Sequence, residues 1–366
     1  MPQGRGQDGR NRAREAPGRF RDGYGVPGIA IRRIAVEGDP ANAMRPGEKS
    51  GISSGVSCPR RWAWVCAVLL VVLPFVAGAA DIKVFTVAEG LPSNWVTALA
   101  SAPDGKLWIG TGNAGVYVID PATGKGKGYR IADGLSSDAV VSVSPFGGKI
   151  YVGTANGLSV FDGGSWKTID KVENVTMRNV RLAASPDGSE LWASAVILAG
   201  GVVRFDGKEW KFMGGEGRGL FNDVQGFAFL PDGVLMGAGS GVPYLHKGTD
   251  VVSSGDGLPP ANILCAASWH GKAYLGTSRG LFVRDGKWRE ASVPRGIGGI
   301  PVFSLVSGGN SLLAGTAAGM VKVSEEGTAV LSARDGLPAS RILAVASGNG
   351  YVAAGTANGL AIVREW

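Results

Sequence analysis

Residues 90–124 read GLPSNWVTALASAPDGKLWIGTGNAGVYVIDPATG, and the order of features in this stretch decides the fold. A Gly-Leu turn opens it and an alternating apolar run follows. The tight turn PDGK (103–106) ends that run, its Asp-Gly step supplying the positive φ that a hairpin needs. A second run closes on Gly-Thr, another turn leads into GVYVID, and the next turn leads into a fourth run. The Gly-Thr pair then recurs: IYVGT at 150–154, AYLGT at 273–277, LLAGT at 312–316 and VAAGT at 352–356, with LWASA at 191–195 and LMGAG at 235–239 as degenerate copies. The second residues of the pairs are Thr111, Thr154, Ser194, Ala238, Thr277, Thr316 and Thr356, at spacings of 43, 40, 44, 39, 39 and 40. Four short antiparallel strands in each of seven such units predict an all-β fold, a seven-bladed β-propeller over residues 81–366.

The ends of the chain fit that ring. The last unit stops at GLAIVREW, which completes a third strand but leaves the fourth missing. The segment IKVFTVAEGLPSN resembles the fourth strands that precede the turn elsewhere, such as TAVLSARDGLPAS. Residues 82–88 are therefore expected to complete the last blade and close the ring without a covalent bond, removing two open sheet edges.

Composition narrows the chemistry. The 366 residues carry 37 Lys+Arg against 30 Asp+Glu, but twelve of the basic and six of the acidic residues fall within 1–80, leaving 25 against 24 in the folded part. That balance gives no basic stripe for nucleic acid, so no nucleic-acid partner is expected. Residues 1–59, rich in Arg, Gly, Pro and Ser and without a strand or helix period, read as a disordered leader or as upstream of a later start at Met44 or Val56. Arg60-Arg61 followed by the apolar stretch 62–80 read as a secretory signal cut near Ala79 or Ala80. Retained, the same stretch would be a membrane anchor, the only membrane contact expected; in either case the propeller is placed outside the cytoplasm. Cys58, Cys66 and Cys265 are the three cysteines, so the propeller cannot close a disulfide within itself, and Cys265 in ILCAA reads as a small buried hydrophobe.

The stretch 90–124 resembles the two-component regulator propeller repeat, from its Gly-Leu-Pro-Ser-Asn turn through Asp-Gly-Lys-Leu-Trp-Ile-Gly-Thr to its third strand. The resemblance recurs at 134–162, 257–285 and 336–363 and is weaker around 192, 237 and 315. It implies an extracytoplasmic sensor-type propeller that recognises a polar ligand, often a carbohydrate, or a protein. No further domain follows the last blade in this sequence, so a signal is expected to leave through a partner such as a sensor kinase, or through the basic tail if the leader is retained.

In a meander of strands A to D running outward, the D-to-A and B-to-C connections share one face, which places a site at that mouth of the central channel. The residues just before strand A are Trp95, Ala139, Asn179, Asp223, Asn262, Pro301 and Arg341, and the B-to-C turns add Asn113, Asn156, Arg279 and Asn358. Trp95, Asn156, Asn179, Asp223, Asn262, Arg279 and Arg341 form the expected ligand-binding rim, suited to hydrogen bonding with stacking on Trp95. Asn113, Asn156 and Asn358 also read as turn residues tolerant of left-handed backbone. The repeated Thr hydroxyls are expected to bond between blades, and Trp108 and Trp192 to fill the core between them. In the third unit the expanded turn SAVILAGG (194–201) holds Val196, Ile197 and Leu198, read either as folding back onto the ring or as a partner-binding patch.

An enzyme needs residues this chain barely has. His246 and His270 are the only histidines and fall at unrelated places in the repeat, so no metal site, no cofactor and no Ser-His-Asp relay is expected. Streptogramin-lyase-like propellers also carry PDG-x-LW units, and a propeller mouth can host paired carboxylates. A polysaccharide or streptogramin-type lyase, or a carboxylate-based hydrolase, is therefore the alternative to a non-catalytic recognition module.

Overall fold

Three of the Gly-Leu turns are built by one local chemistry. In TVAEGL, Thr86 caps a single 3-10 turn, Val87–Glu89: its hydroxyl accepts from Ala88 N–H, and Glu89 accepts from Thr86 N–H at 2.8 Å. Gly90 then takes left-handed backbone (φ 99°), and the N–H of buried Leu91 returns to the Thr86 carbonyl at 3.0 Å. SARDGL repeats the device with Ser332, Asp335 and left-handed Gly336, and RIADGL repeats it without the hydroxyl cap, with Asp133 as the carboxylate and Gly134 as the left-handed residue. Outer hairpin turns are tied by aspartates: Asp120 accepts from Ala122 N–H, Asp162 from Gly164 and Ser165 N–H, and Asp206 from Lys208 and Glu209 N–H.

In this computed structural model the described residues are 80–195, 201–213, 221, 223–248, 250–292 and 298–366. The leader 1–59, the apolar segment up to Ala79 and the patch Val196, Ile197 and Leu198 lie outside them. The described strands form seven four-stranded antiparallel sheets, with a two-stranded ribbon (Lys171–Val172 and Val175–Thr176) between the second and third. The inner strands are Val96–Ser101, Val140–Phe146, Arg181–Ala184, Val224–Leu230, Ile263–Trp269, Val302–Gly308 and Ala344–Gly348. Each packs against the inner strand of the next blade, and the seventh against the first, so the circle is complete. Helix is confined to three 3-10 turns among the described residues, and none is long and apolar enough to cross a membrane.

The closing strand is Asp81–Phe85, shorter than the expected 82–88 because the Thr86 cap turns the chain into its 3-10 turn. It lies antiparallel on Gly359–Arg364, in register from Asp81 opposite Arg364 to Phe85 opposite Leu360. Phe85 is buried with Leu91, Leu107, Leu360 and Ile362, at the junction of the last and first blades.

The Gly-Thr signature divides into two jobs. The glycine sits where the next blade's inner strand presses closest: a Cβ on Gly276 would lie 2.9 Å from the Val302 carbonyl oxygen, and one on Gly315 would lie 3.1 Å from that of Ile342. The threonine works inside its own blade. Thr111, Thr154, Thr277, Thr316 and Thr356 each donate to the carbonyl of the residue that ends the B-to-C turn, at 2.8–3.0 Å, and accept a turn N–H in return. The expected bonds between blades are made instead by strand A: Thr97 to the Val140 carbonyl and Ser142 to that of Val180, each at 2.7 Å. In the degenerate third blade Ser194 does reach the next blade, donating to the Val224 carbonyl. Trp108 packs between the first two blades with Val140 and Ile150, and Trp192 between the third and fourth with Phe227 and Met236.

Candidate functional site

The D-to-A and B-to-C connections do share one face. Main-chain bonds join them directly: Gly112 N–H to the Trp95 carbonyl, Ala155 to Ala139, Gly239 to Asp223, Ser278 to Asn262 and Ala317 to Pro301. The expected rim residues therefore circle one mouth, with individual roles set by their contacts.

Trp95 is 48% exposed, an unusual state for so large an apolar ring. It lies over Gly112, where a Cβ would overlap the ring, so the glycine makes room for the indole face. Arg341 is exposed and stacks on Phe303, its guanidinium carbon 4.5 Å from the ring centre. Asp223 accepts a hydrogen bond from the Gln225 side-chain amide. Arg279 donates to the Pro260 carbonyl at 3.3 Å. Asn179 is a backbone device, holding left-handed φ at 47° with its N–H on the Ala155 carbonyl. Asn262 uses its N–H on the Ser278 hydroxyl, and Asn156 uses its N–H on Thr154 Oγ1. Asn113, Asn156 and Asn358 are not left-handed, contrary to the turn expectation: the threonine hydroxyl holds these turns, and in two of them a glycine, Gly115 and Gly359, takes the positive φ.

Below the rim lies a ring that the sequence reading did not reach. Strand A of five blades is bulged one residue in, between Val96 and Ala98, Val140 and Ser142, Val224 and Gly226, Ile263 and Cys265, and Val302 and Ser304. Each bulge turns its extra residue toward the central channel, a cavity of about 610 Å³ lined by all seven inner strands. In blade 7, Leu343 stands in the matching place, immediately before Ala344, which faces Gly355. In blade 3 strand A is unbulged, and Arg181, paired with Ser194, lines the channel from the next position. The resulting ring is Thr97, Val141, Arg181, Gln225, Leu264, Phe303 and Leu343. Arg181 is its one charged member. Burial lowers the pKa of its guanidinium, partly offset by Cys265 and Asp223. The available signal was an arginine inside the otherwise apolar strand run VRLAA (180–184).

A larger cleft of about 830 Å³ opens on the opposite face, lined by Trp108, Tyr129, Phe161 and several lysines. Its rings pack mainly on one another: Trp108 and Tyr129 are parallel at 6.1 Å, and Trp108 and Phe161 stand 5.6 Å apart. We therefore centre the site on the channel mouth, where polar groups from different blades converge.

The two histidines are far apart in environment. His246 is buried on strand C of the fourth blade, edge-on to Trp192 at 5.4 Å, and burial lowers its pKa. His270 stands in an A-to-B turn on the face opposite the mouth, stacked on Trp269, with Nδ1 3.4 Å from Glu325. Cys265 is buried, its thiol pushed up to about 12 by desolvation, and it packs as the small hydrophobe expected. Among the described residues no cluster of three His, Cys, Asp or Glu side chains could hold a metal ion.

This architecture defines a seven-bladed β-propeller. The family model for the two component regulator propeller matches residues 90–113, so the chain carries that repeat in its first blade. Among curated proteins none matches the sequence. In fold, the chain is similar to the extracellular domain of a protein described as a hybrid two component system from B. thetaiotaomicron, at 19% identity and a TM-score of 0.63, covering 77% of this chain and 41% of that one. A second extracellular domain from the same organism, described as a one component system, is 16% identical at a TM-score of 0.62, covering 78% and 40%. This chain thus spans about two fifths of the length of these two proteins. It is also similar to an inactive variant of virginiamycin B lyase from Staphylococcus aureus, solved with Quinupristin, at 9% identity and a TM-score of 0.61, covering 78% and 99%.

Proposed function

We propose that this chain is a non-catalytic, extracytoplasmic recognition module that binds a polar ligand, a carbohydrate by class, at the D-to-A mouth of the propeller and passes the event to a partner protein such as a sensor kinase. The observation that carries this reading is the exposed Trp95 ring, held over Gly112 beside a rim of amide, carboxylate and guanidinium groups. A flat apolar face bordered by hydrogen-bonding groups suits a sugar ring, whose C–H face stacks while its hydroxyls bond outward. The repeat and the extracellular sensor domains that share the fold support an extracytoplasmic sensing role. The lyase reading finds less support: His246 is committed to a core contact and His270 to the opposite face.

A sugar panel followed by calorimetry and thermal unfolding tests the proposal. Trp95→Ala is expected to weaken the binding of a hit about tenfold or more while leaving the ligand-free melting temperature in place. Undiminished binding by that variant overturns the site, and turnover of the bound compound overturns the non-catalytic reading.

A further inference from the structure

The channel ring holds a cation whose neighbours leave it without a close counter-ion. Its main chain lies in the ladder opposite Ser194, but the Arg181 side chain makes no hydrogen bond or ion pair with any described residue, although it is partly buried within the channel. Asp223 is the acidic group that acts on it, from beyond ion-pair distance, and that carboxylate already accepts from Gln225. The other six ring residues are neutral, so nothing in the repeat demands a charge at this place. A half-buried guanidinium without a pair costs stability, and its five N–H donors form a fixed fork that matches a carboxylate in two parallel bonds. Two further features shape the space: Phe303 presents an aromatic ring to the same cavity, and Arg341 on that ring adds a second cation at the opening. The cavity, at about 610 Å³, is of the size that takes a small organic ligand.

We propose that the channel mouth is a receptor for the carboxylate of a sugar-sized organic acid, with Arg181 as the anchor that grips it and Phe303 and Arg341 flanking the rest of the ligand. This inference rests on the mouth being the ligand site and narrows the ligand to an anion.

The test uses the full chain and a panel of hydroxycarboxylates, glucuronate, galacturonate and gluconate, each compared with its neutral counterpart, glucose, galactose or glucitol. At least one acid is expected to bind, with its neutral counterpart at least tenfold weaker. Arg181→Met keeps the apolar stem, so its ligand-free melting temperature is expected at or above that of the parent, while acid binding falls about tenfold to a hundredfold. Arg181→Gln serves the same purpose if the methionine variant misfolds. Binding of no acid, equal binding of acid and neutral partner, or retention of acid binding by both variants overturns the proposal. The two readings fail separately: neutral sugars lost with Trp95→Ala but acids indifferent to Arg181 would leave the mouth standing without the anion site. Acids lost with Arg181→Met but untouched by Trp95→Ala would leave the anion site without the stacking platform.

Discussion

A glycine followed by a threonine persists through five of the seven blades because each atom answers a different steric or polar demand. At Gly153 an added Cβ would strike the main-chain carbonyl of Val180, whose carbon would be 2.8 Å away, and neither backbone can yield without disturbing the seam between blades. Gly153→Ala is therefore expected to destabilise the domain by about 1–3 kcal/mol in urea unfolding; an unchanged midpoint would mean that the seam is loose. The threonine hydroxyl is equally committed. Thr356 is fully buried, donates to the Gly359 carbonyl at 2.9 Å and accepts from Asn358 N–H at 2.9 Å. Thr356→Val keeps the shape and strands both partners, with an expected loss of about 1–3 kcal/mol, whereas Thr356→Ser keeps the hydroxyl and is expected to recover most of that loss. Equal losses in the two variants would show that the methyl group, and not the hydroxyl, is what the turn needs.

At the scale of strands and turns, the blade pattern was legible because each element leaves a mark in residue type. Asp-Gly breaks, Gly-Leu caps and alternating apolar runs are local, and their period survives even where LWASA and LMGAG blur the signature. The channel ring was not legible in the same way. A bulge adds one residue to strand A without a characteristic residue type, and the bulged positions hold Thr97, Val141, Gln225, Leu264 and Phe303. Counting from the turn thus reached Asp223 and Pro301 at the rim but stopped two residues short of Gln225 and Phe303. The Thr hydroxyls were misassigned for a related reason: a buried donor can bond in either direction, and only the turn geometry decides. A further consequence belongs to strand C of the fourth blade, which carries His246 into apolar contact with Trp192. Burial, and secondarily Arg204, lowers its pKa below the ordinary 6.5, so the folded state binds its proton less readily than the unfolded chain. Its contribution to stability is present above pH 6.5 and is lost as pH falls through the lowered folded value. Urea midpoints measured downward from neutral pH are expected to show that decline in the parent, and His246→Phe is expected to flatten it between pH 6.5 and the folded value. An identical decline in the variant would assign the effect to other groups.

For the whole molecule, the ring is a chain of noncovalent seams, and one of them joins the two ends of the sequence. The closing strand supplies the outer edge of the last blade, while Arg364 at that blade's end donates to the Pro121 carbonyl of the first blade at 2.7 Å. The mouth residues come from different blades, so their spacing is fixed only while the circle stays shut. Phe85→Ala empties part of the junction core and is expected to cost about 3–5 kcal/mol. Internal deletion of residues 81–85 in the full chain goes further: it uncovers the polar edge of Gly359–Arg364 along its length, an edge ready to pair with any other strand. The deleted chain is expected to melt lower as a whole and to self-associate in size-exclusion chromatography. A synthetic peptide spanning residues 81–89 added in trans is expected to reverse both effects by occupying the vacant lane. Since that strand contributes no side chain to the channel ring, any loss of ligand binding on deletion, restored by the peptide, would come from the ring's geometry alone. A deleted chain that stays monomeric at the parent melting temperature would show that the seventh blade holds its place with three strands, and that the seam between Gly355 and Val96 carries the closure instead.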